Sequence, residues 1–320
     1  MRHWIATLLA TAGIAMTANS WAWTDKPVKL IVPAPAGGSM DVVARLLAQQ
    51  LSADIRQPVI VENKAGAGGA IAIQALLQAQ ADGQTLMVTA NNVLVEIPHV
   101  IKTPYDPLKD VKPVATFARS GLVLVSAPMP GVDDLKGLLG LLKSRQGKAS
   151  FASYSAGTSS HYAGLILNQK TGLDLQHVPF PGSSPALTQV MGGQIEMMFD
   201  GIATSLPFIK AGKLKVYGFT GKRRSPYLPD VPTMTELGYP DIQFMGWLGV
   251  IASSALPSDL SIKINAAVRK VASTAAFKER LQAIGLEPDI NFSSAQLSQE
   301  LKEVSDRNAA VVKQFNVKLN

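Results

Sequence analysis

A glycine-rich turn at residues 33–41 offers the clearest chemistry in this chain of 320 residues. The turn reads Pro-Ala-Pro-Ala-Gly-Gly-Ser-Met-Asp and lies between an apolar run at 28–32 and a segment with apolar residues at helical spacing. This order predicts a buried strand, a turn and then a helix. The first N–H groups of a helix have no partner within the helix, and the helix dipole is positive there, so the turn is predicted to bind an anion such as a small carboxylate. The residues expected to face the anion are Ala36, Gly37, Gly38 and Ser39.

A second turn, at 155–160, is rich in small hydroxyl residues around a glycine and precedes another predicted helix, at 161–171. Ser159 or Ser160 can cap that helix, and the remaining hydroxyl and N–H groups are then free donors. Taken alone, the segment also fits an ordinary capped turn. Two such turns, one early in the chain and one after the crossover expected near 119–126, could face each other across a cleft, each offering an anion site from a different domain. The predicted ligand-binding residues of the second turn are Ser155, Gly157, Thr158, Ser159, Ser160 and His161.

Three ionisable residues beside these turns have open roles. Asp41 would repel a bound carboxylate, so we expect it to tie the backbone of its own loop. His161 lies in the first turn of a helix, where a cation is disfavoured; a neutral imidazole can donate one hydrogen bond to a solute or only brace the loop. Asp200 follows an apolar strand and can accept a hydrogen bond from a solute or cap residues 201–205.

Two further residues are predicted to contact a ligand. Asn92 follows the strand predicted at 85–89, and Phe180 lies beside the predicted strand at 176–178. Phe180, with Tyr154, Phe199 and Trp247, could supply an apolar wall, although aromatic residues at such positions are more often part of a core.

The N-terminus predicts export. Met-Arg-His precedes an apolar stretch at 4–16, and small residues end at Ala22, which is the pattern of a cleavable secretory signal at 1–22. The apolar stretch is shorter than the roughly 20 residues that span a bilayer. The chain has no cysteine, so neither disulfides nor a lipidated cysteine is expected. These features predict a soluble periplasmic protein.

Composition limits the partners. The formal net charge is +7, a modest excess that attracts anionic solutes but does not indicate nucleic-acid binding. The one dense basic cluster, at 222–224, has no aromatic stacking pattern beside it. A hydrophobic content of 47% argues against long disordered segments.

Apolar runs alternate with helical patterns through the first two thirds of the chain, which predicts mostly parallel sheets covered by helices. The predicted strands are 28–32, 59–62, 85–89, 122–126, 150–152, 176–178, 195–199, 215–220 and 247–251. The predicted helices between them are 41–54, 69–78, 132–144, 161–171 and 184–191. The final third is predicted to be helical at 258–272, 274–284 and 294–315, and these helices are expected to pack across the first domain.

A series of ordered motifs resembles the Bug family of extracytoplasmic solute receptors, the binding-protein component of tripartite tricarboxylate transporters. The resemblance covers the whole chain after the signal, and the joint order of its motifs is very specific. The matching segments are KPVKLIVP at 26–33, GG at 37–38 with Asp41, QPVIVEN at 57–63, AGAGG at 65–69, PYDPLKD at 104–110, YSAGTSSH at 154–161, HVPFPG at 177–182, GGQI at 192–195 with FD at 199–200, and LPDVPT at 228–233 with ELG at 236–238.

The resemblance implies a type II periplasmic-binding-protein fold, an α/β fold of two domains joined by two crossovers and closing on a ligand. We expect domain 1 at 23–124 and 245–320, and domain 2 at 125–244. It also implies that the two turns hold the carboxylate ends of the solute, that membrane subunits of a tripartite tricarboxylate transporter receive it, and that no cofactor is used. A monomer is expected.

The solute expected from the sequence is an organic carboxylate, with a dicarboxylate favoured. Where many relatives carry a glutamate soon after the loop histidine, this chain has Leu165, and Val93 follows Asn92. Both apolar residues argue against a citrate-like solute and favour a compact or aromatic dicarboxylate such as a phthalate isomer.

Other classes of protein fit less well. Ser159, His161 and Asp200 are the residue types of a serine hydrolase, but no Gly-x-Ser-x-Gly elbow is present, and residues two apart on a helix point to different faces. The histidines at 99, 161 and 177 have no recognised metal-ligand spacing, and the glycines at 66–69 match neither a phosphate loop nor a dinucleotide fingerprint. A periplasmic sensor that binds the same solute and reports to a signalling partner remains an alternative, because either a transporter or a signalling protein could recognise the closed form.

Overall fold

The computed structural model of the protein describes residues 23–37 and 39–318. The predicted signal at 1–22, and Gly38 of the first turn, lie outside the described residues. Within the described residues, no helix is both long enough and apolar enough to cross a membrane.

Ten strands and ten α-helices make up the regular structure of the described residues. The strands are β1 (Val28–Val32), β2 (Val59–Asn63), β3 (Thr85–Ala90), β4 (Val111–Ser126), β5 (Ser150–Ser153), β6 (Gln176–Pro179), β7 (Met197–Gly201), β8 (Lys215–Phe219), β9 (Met245–Ser253) and β10 (Glu287–Pro288). The helices are α1 (Ser39–Ile55), α2 (Ala70–Gln78), α3 (Asn92–Val95), α4 (Leu135–Ser144), α5 (Ser159–Thr171), α6 (Ser183–Met191), α7 (Ile202–Lys210), α8 (Ser258–Ser273), α9 (Ala275–Ala283) and α10 (Ser294–Phe315).

The first lobe is built on β2, β1, β3, β9 and the first part of β4, in that order. Strand β1 is parallel to both β2 and β3. Alternate residues of β1 face opposite sides: Leu30 packs in a core formed with α1, α8 and α9, and Ile31 packs in a core formed with α2, α3 and α10. The sheet is therefore covered by helices on both faces, which is why β1 is almost continuously apolar.

The second lobe repeats this plan with β5 between the parallel strands β6 and β7. Phe151 and Phe199 pack with α4 and α5 on one face, while Ala152 and Met198 pack with α6 and α7 on the other. Each lobe therefore has its own pair of apolar layers around one sheet. The mixed α/β fold agrees with the predicted fold class.

Strand β4 joins the two lobes. Its residues 111–121 pair with β9 in the first lobe, and its residues 122–126 pair with β7 and β8 in the second. All of these pairings are antiparallel, as is the pairing of β3 with β9. The prediction of mostly parallel sheets holds within each lobe but is wrong for the strands that connect them, because a chain that crosses between lobes and returns must run in opposite directions.

The C-terminal helices divide between the lobes. Helices α8 and α9 pack on α1 and β4 in the first lobe, as expected. Helix α10 starts there, through Leu297 and Leu301, but its far end places Val311 in the core of the second lobe. Helix α10 therefore packs on the first lobe, as expected, but it also extends into the second lobe, which was not expected. The predicted domain boundaries stay a prediction.

Several element boundaries differ from the sequence-based expectation. Strand β4 starts eleven residues before the predicted strand at 122–126, and β7 is shifted two residues beyond 195–199. Helix α7 was not expected, and Pro207 lies inside it. The helix tolerates Pro207 because α7 packs against β4 and β7 in the second lobe, so tertiary contacts outweigh the local signal.

Candidate functional site

The C-terminal ends of the parallel strands bring the predicted loops together. In the first lobe β1, β2 and β3 end beside one another, so the loops that follow them share one edge of the sheet. A Cβ atom added at Gly69 would lie 2.6 Å from Val93 and 3.3 Å from Pro33, so these three loops are in close contact. In the second lobe the loops after β5 and β6 share an edge in the same way. Ligands of open α/β sheets bind at such edges.

The first loop is exposed and tied from within. Gly37 has a φ of 80°, and its N–H donates to Oδ2 of Asp41 over 2.8 Å. The side chain of Asn63 donates to Oδ1 of Asp41 over 2.9 Å and to the carbonyl of Ala34 over 3.0 Å. The expectation that Asp41 ties the backbone of its loop is confirmed. Because the N–H of Gly37 is already used, an anion at this loop would depend on neighbouring N–H groups.

Asp41 is held in its ionised form. Its side chain accepts a hydrogen bond from Nε of Arg45 over 2.9 Å, and the residue is 2% exposed. The hydrogen bond from Arg45, with those from Gly37 and Asn63, outweighs burial and lowers the pKa of Asp41 to about 2. Ala36 is exposed, like Gly37, and Ser39 begins α1.

The second loop is buried, and its hydroxyl groups are occupied. The N-cap of α5 is Thr158, whose hydroxyl donates to the carbonyl of Ser155 over 2.7 Å instead of capping the helix. Ser159 donates to Oε1 of Glu96, and Ser160 donates to the carbonyl of Phe199. The prediction that Ser159 or Ser160 caps the helix is therefore wrong: both lie inside it and reach to other segments.

Ser155 completes this pattern, since its hydroxyl donates to the carbonyl of Ala156 over 3.2 Å. The hydroxyl groups expected to be free donors are thus all engaged with protein acceptors. A solute at this loop would have to use backbone N–H groups, or exchange partners with these hydroxyls.

His161 braces the second loop. Its Nδ1 accepts a hydrogen bond from the N–H of Gly157 over 3.2 Å, and its ring stacks on that of His177 with centroids 3.6 Å apart. Burial, with a smaller effect from His177, lowers the pKa of His161 to about 3. The imidazole is therefore neutral and carries its proton on Nε2. The bracing role is observed, and a hydrogen bond to a solute stays a prediction.

Asp200 lies inside the second lobe with no exposed surface. Its carboxylate accepts hydrogen bonds from Ser183 over 2.6 Å, Thr204 over 2.5 Å and Ser205 over 2.7 Å. These donors belong to the first turns of α6 and α7, so Asp200 ties both helix starts to β7. Burial raises the pKa of Asp200 above its usual value despite these bonds. The arrangement matches the capping alternative, and contact with a solute stays a prediction.

The remaining predicted residues occupy the loop edges. Phe180 is half-buried against the core of α6 and α7, and its N–H donates to the carbonyl of Ser153 over 2.9 Å. Asn92 is the first residue of α3, and its carbonyl accepts a hydrogen bond from the N–H of Glu96 over 2.9 Å. Both residues are placed by backbone contacts of their own loops.

Glu96 is a candidate functional residue that the sequence reasoning missed. It is 5% exposed, it follows α3 of the first lobe, and its carboxylate meets Ser159 of the second. Burial raises the pKa of Glu96 to about 7, against the opposing effects of Ser159 and Arg307. The available signal was a single charged residue in the apolar run Val-Leu-Val-Glu-Ile at 93–97.

A second contact joins the lobes beside Glu96. Gly157 has a φ of 72°, and a Cβ atom there would lie 2.5 Å from the side chain of Val100. The segment 96–100 is itself fixed to the first lobe, because a Cβ at Gly68 would lie 2.7 Å from Ile97. The loops after β2, β3 and β5 therefore form one continuous contact region.

A cavity of about 970 Å³ lies along α10, and its lining includes Arg307, whose charge acts on Glu96. Its lining also includes Arg119, which is bound by both Asp289 and Glu300. None of the residues predicted to bind a ligand lines this cavity. Among residues 23–37 and 39–318, no group of three or more histidine, cysteine or acidic side chains could hold a metal ion.

Comparison with known families assigns the chain. The profile described as "Tripartite tricarboxylate transporter family receptor" matches residues 43–317. This range holds the second loop and all the strands from β2 to β10. The protein therefore belongs to the tripartite tricarboxylate transporter family of receptors, which are periplasmic solute-binding proteins.

Individual relatives agree over the full length. BugT of Bordetella pertussis is 32% identical over 317 residues, which are 98% of this chain and 97% of BugT. MatC of Rhodopseudomonas palustris, solved with bound malate, is 31% identical with a TM-score of 0.78, over 90% of this chain and 99% of MatC. A second R. palustris protein, solved with adipate, is 26% identical with a TM-score of 0.83, over 92% of this chain and 99% of that protein.

Proposed function

We propose that this protein captures a small organic carboxylate in the periplasm by domain closure and delivers it to the membrane subunits of a tripartite tricarboxylate transporter. One observation carries the proposal: two strand-to-helix turns come from different lobes, and the second meets the first lobe through Ser159 with Glu96 and Gly157 with Val100. Membership of the receptor family and relatives with bound malate and adipate support it. A solute that touches both lobes stabilises the closed arrangement by as much as it prefers that state.

A dicarboxylate is the favoured solute in this proposal, with an aromatic body such as a phthalate isomer included. Each turn can hold one anionic end. Of the two apolar residues noted in the sequence, Val93 supports a compact or aromatic body, because it is buried beside Gly69 where the loops meet. Leu165 instead packs in the core of the second lobe.

Binding without chemistry completes the proposal. The relatives are solute-binding proteins, and Ser159, His161 and Asp200 each hold other hydrogen-bond partners instead of one another. A hydrolase would need its nucleophile and base within hydrogen-bond reach. Export by a cleaved signal at 1–22, a monomeric state and the absence of a cofactor belong to the same proposal.

The melting temperature of the mature protein, stripped of bound solute, tests the binding claim. We expect an increase with aliphatic or aromatic dicarboxylates, because a ligand at about 100 times its Kd adds roughly 2.7 kcal/mol of stability. Monocarboxylates and tricarboxylates of similar size serve as controls. No shift with any carboxylate would contradict the proposal.

Uptake in cells separates transport from the alternative, a periplasmic sensor. Deleting the receptor, or the membrane subunits, should abolish uptake of the solute found in the melting experiment. Intact uptake together with lost gene induction would instead support the sensor.

A further inference from the structure

Glu96 places a carboxylate at the start of the helix that the second loop leads into. Its Oε1 accepts a hydrogen bond from Ser159, the first residue of α5, and α5 is 13 residues long. The N-terminus of a helix stabilises a negative charge. The protein therefore supplies, from its own first lobe, one carboxylate at a position suited to an anion.

The other carboxylate oxygen has no protein partner. The residue is only 5% exposed, and its Oε2 is buried. This oxygen accepts no hydrogen bond within the described part of the chain. Buried polar atoms in proteins nearly always have a partner, from the protein, from water or from a ligand. This oxygen is thus left for a donor that the described chain does not provide.

Other buried polar atoms near Glu96 also lack hydrogen-bond partners. The hydroxyl of Tyr162, Nε of Arg307 and Oδ1 of Asn308 are also buried without partners among the described residues. Glu96 influences the pKa of both Tyr162 and Arg307 by its charge, and the side-chain amide of Asn308 donates to the carbonyl of Val95 over 2.8 Å. Polar atoms from α5, α10 and the first lobe therefore converge on one place beside the second loop.

Burial raises the pKa of Glu96 to about 7, so the group is mostly ionised only above that pH. In its ionised form, the free oxygen attracts a hydrogen-bond donor and repels another carboxylate. A solute group that reaches this place is therefore favoured if it is a hydroxyl or an ammonium group. The negatively charged ends of the solute would be held elsewhere, by N–H groups of the first loop and of the second loop away from Glu96.

We propose that Glu96 is a specificity-determining residue, whose free carboxylate oxygen accepts a hydrogen bond from a hydroxyl or ammonium group of the solute. The receptor then prefers carboxylates that carry such a donor over carboxylates of the same skeleton that lack it. This inference rests on the proposed function and narrows its substrate class to hydroxy- and amino-carboxylates.

Matched solutes test the inference by titration calorimetry on the solute-stripped mature protein. Succinate, malate and aspartate share a carbon skeleton and differ in having no donor, a hydroxyl or an ammonium group; glutarate with glutamate, and phthalate with 3-hydroxyphthalate, repeat the comparison on other skeletons. A hydrogen bond to a charged group changes affinity by about tenfold to a hundredfold. We expect the donor-bearing member of the best-binding skeleton to bind at least tenfold more tightly.

Variants then attribute the preference to Glu96. Glu96→Gln keeps the size of the side chain but removes its charge, and we expect it to reduce the preference for an ammonium group about tenfold or more. Glu279→Gln, at an exposed position of α9, is the matched control and should leave the preference unchanged. If Glu96→Gln does not fold, Glu96→Asp keeps the charge but withdraws it by one carbon, and should also reduce the preference.

The outcomes separate the two proposals. Equal binding of the matched solutes by the native protein, or a preference that Glu96→Gln leaves unchanged, would overturn the role of Glu96 and leave its free oxygen to an internal water. Either result would still show a carboxylate receptor. Failure of every carboxylate to bind would instead overturn the proposed function.

Discussion

The two turns that sequence patterns identify as anion sites are built in opposite ways. The first is exposed, and its backbone is tied by Asp41, which lies in the first turn of its own helix, four residues after Gly37. The second is largely buried, and its side chains are engaged with β7 and the segment after α3. The first loop is therefore tied mainly by its own helix, with Asn63 of β2 as a further partner, whereas the second loop is held by distant segments.

This difference assigns separate tasks to the two turns. The exposed loop can meet an incoming anion before the lobes close, because few of its contacts depend on closure. The buried loop already contacts the first lobe through Glu96 and Val100, so its geometry changes if the lobes move apart. We expect the first loop to determine how the solute is first captured, and the second loop to determine which solutes are preferred.

The largest expected effect is a loss of stability when a glycine of either loop is replaced by alanine. Gly37 and Gly157 both have positive φ, but a Cβ at Gly37 meets nothing within 4 Å, whereas one at Gly157 meets Val100. Alanine at either position costs about 1–2 kcal/mol of backbone strain, and only Gly157→Ala adds roughly 1–3 kcal/mol of overpacking. Urea unfolding should therefore show the larger loss for Gly157→Ala. Equal losses of stability would mean that the side chain of Val100 can move away from the added methyl group without a loss of stability.

The pH dependence of the unfolding free energy tests the role of His161 in the second loop. Burial lowers the pKa of His161 in the folded protein to about 3, from its usual 6.5, so the unfolded chain binds more protons between these pH values. Stability from this group is present above pH 6.5 and is lost as the pH falls. We expect His161→Asn, which keeps an acceptor for the N–H of Gly157, to flatten the loss of unfolding free energy between pH 6.5 and 4.

Glu96 acts in the opposite direction over an overlapping range. Its pKa rises from 4.5 to about 7 on folding, so its contribution to stability falls as the pH rises through that window. The His161→Asn series should therefore be measured against the native protein and against Glu96→Gln. A slope that His161→Asn leaves unchanged would show that protonation of His161 does not limit stability in acid.

The smallest expected effect concerns Asp41. Asp41→Asn leaves one acceptor for three donors, Gly37, Arg45 and Asn63, and should cost about 1–2 kcal/mol in urea unfolding at pH 7. The pKa of Asp41 is lowered to about 2, so its stabilisation is present above pH 3.8 and lost as the pH falls towards 2. The variant should lack that acid-dependent loss, and Asp230→Asn, at an exposed position, is the control. A loss as large as that of Gly157→Ala would show that the first loop is not locally organised.

Regular elements within each lobe were predictable because their patterns are local. Strand β1 and helix α10 match the expected residues 28–32 and 294–315. The first part of β4 was missed because Pro113, Arg119 and Ser120 interrupt its apolar pattern, and its pairing with β9 is what makes it a strand. Helix α7 was missed because Pro207 is a strong local signal against a helix.

The candidate site was predictable in its loops but not in its contacts. The glycine and hydroxyl residues identify both turns, and the tie between Asp41 and its loop joins residues only four apart in the chain. The partners of Ser159 and Ser160 are 63 and 39 residues away in the chain, and no local rule pairs them. Glu96 was also not predictable from local sequence, since it becomes part of the site only through its contact with α5.

The sequence by itself determined the two strand-turn-helix units, the family of receptors and the internal tie of the first loop, because each depends on residues that are near in the chain or ordered along it. Tertiary structure alone decided that β4 is shared by both lobes, that α10 spans them, and that Glu96 meets Ser159. These features depend on the meeting of distant segments, where burial and unmatched polar atoms arise only when the lobes are packed together.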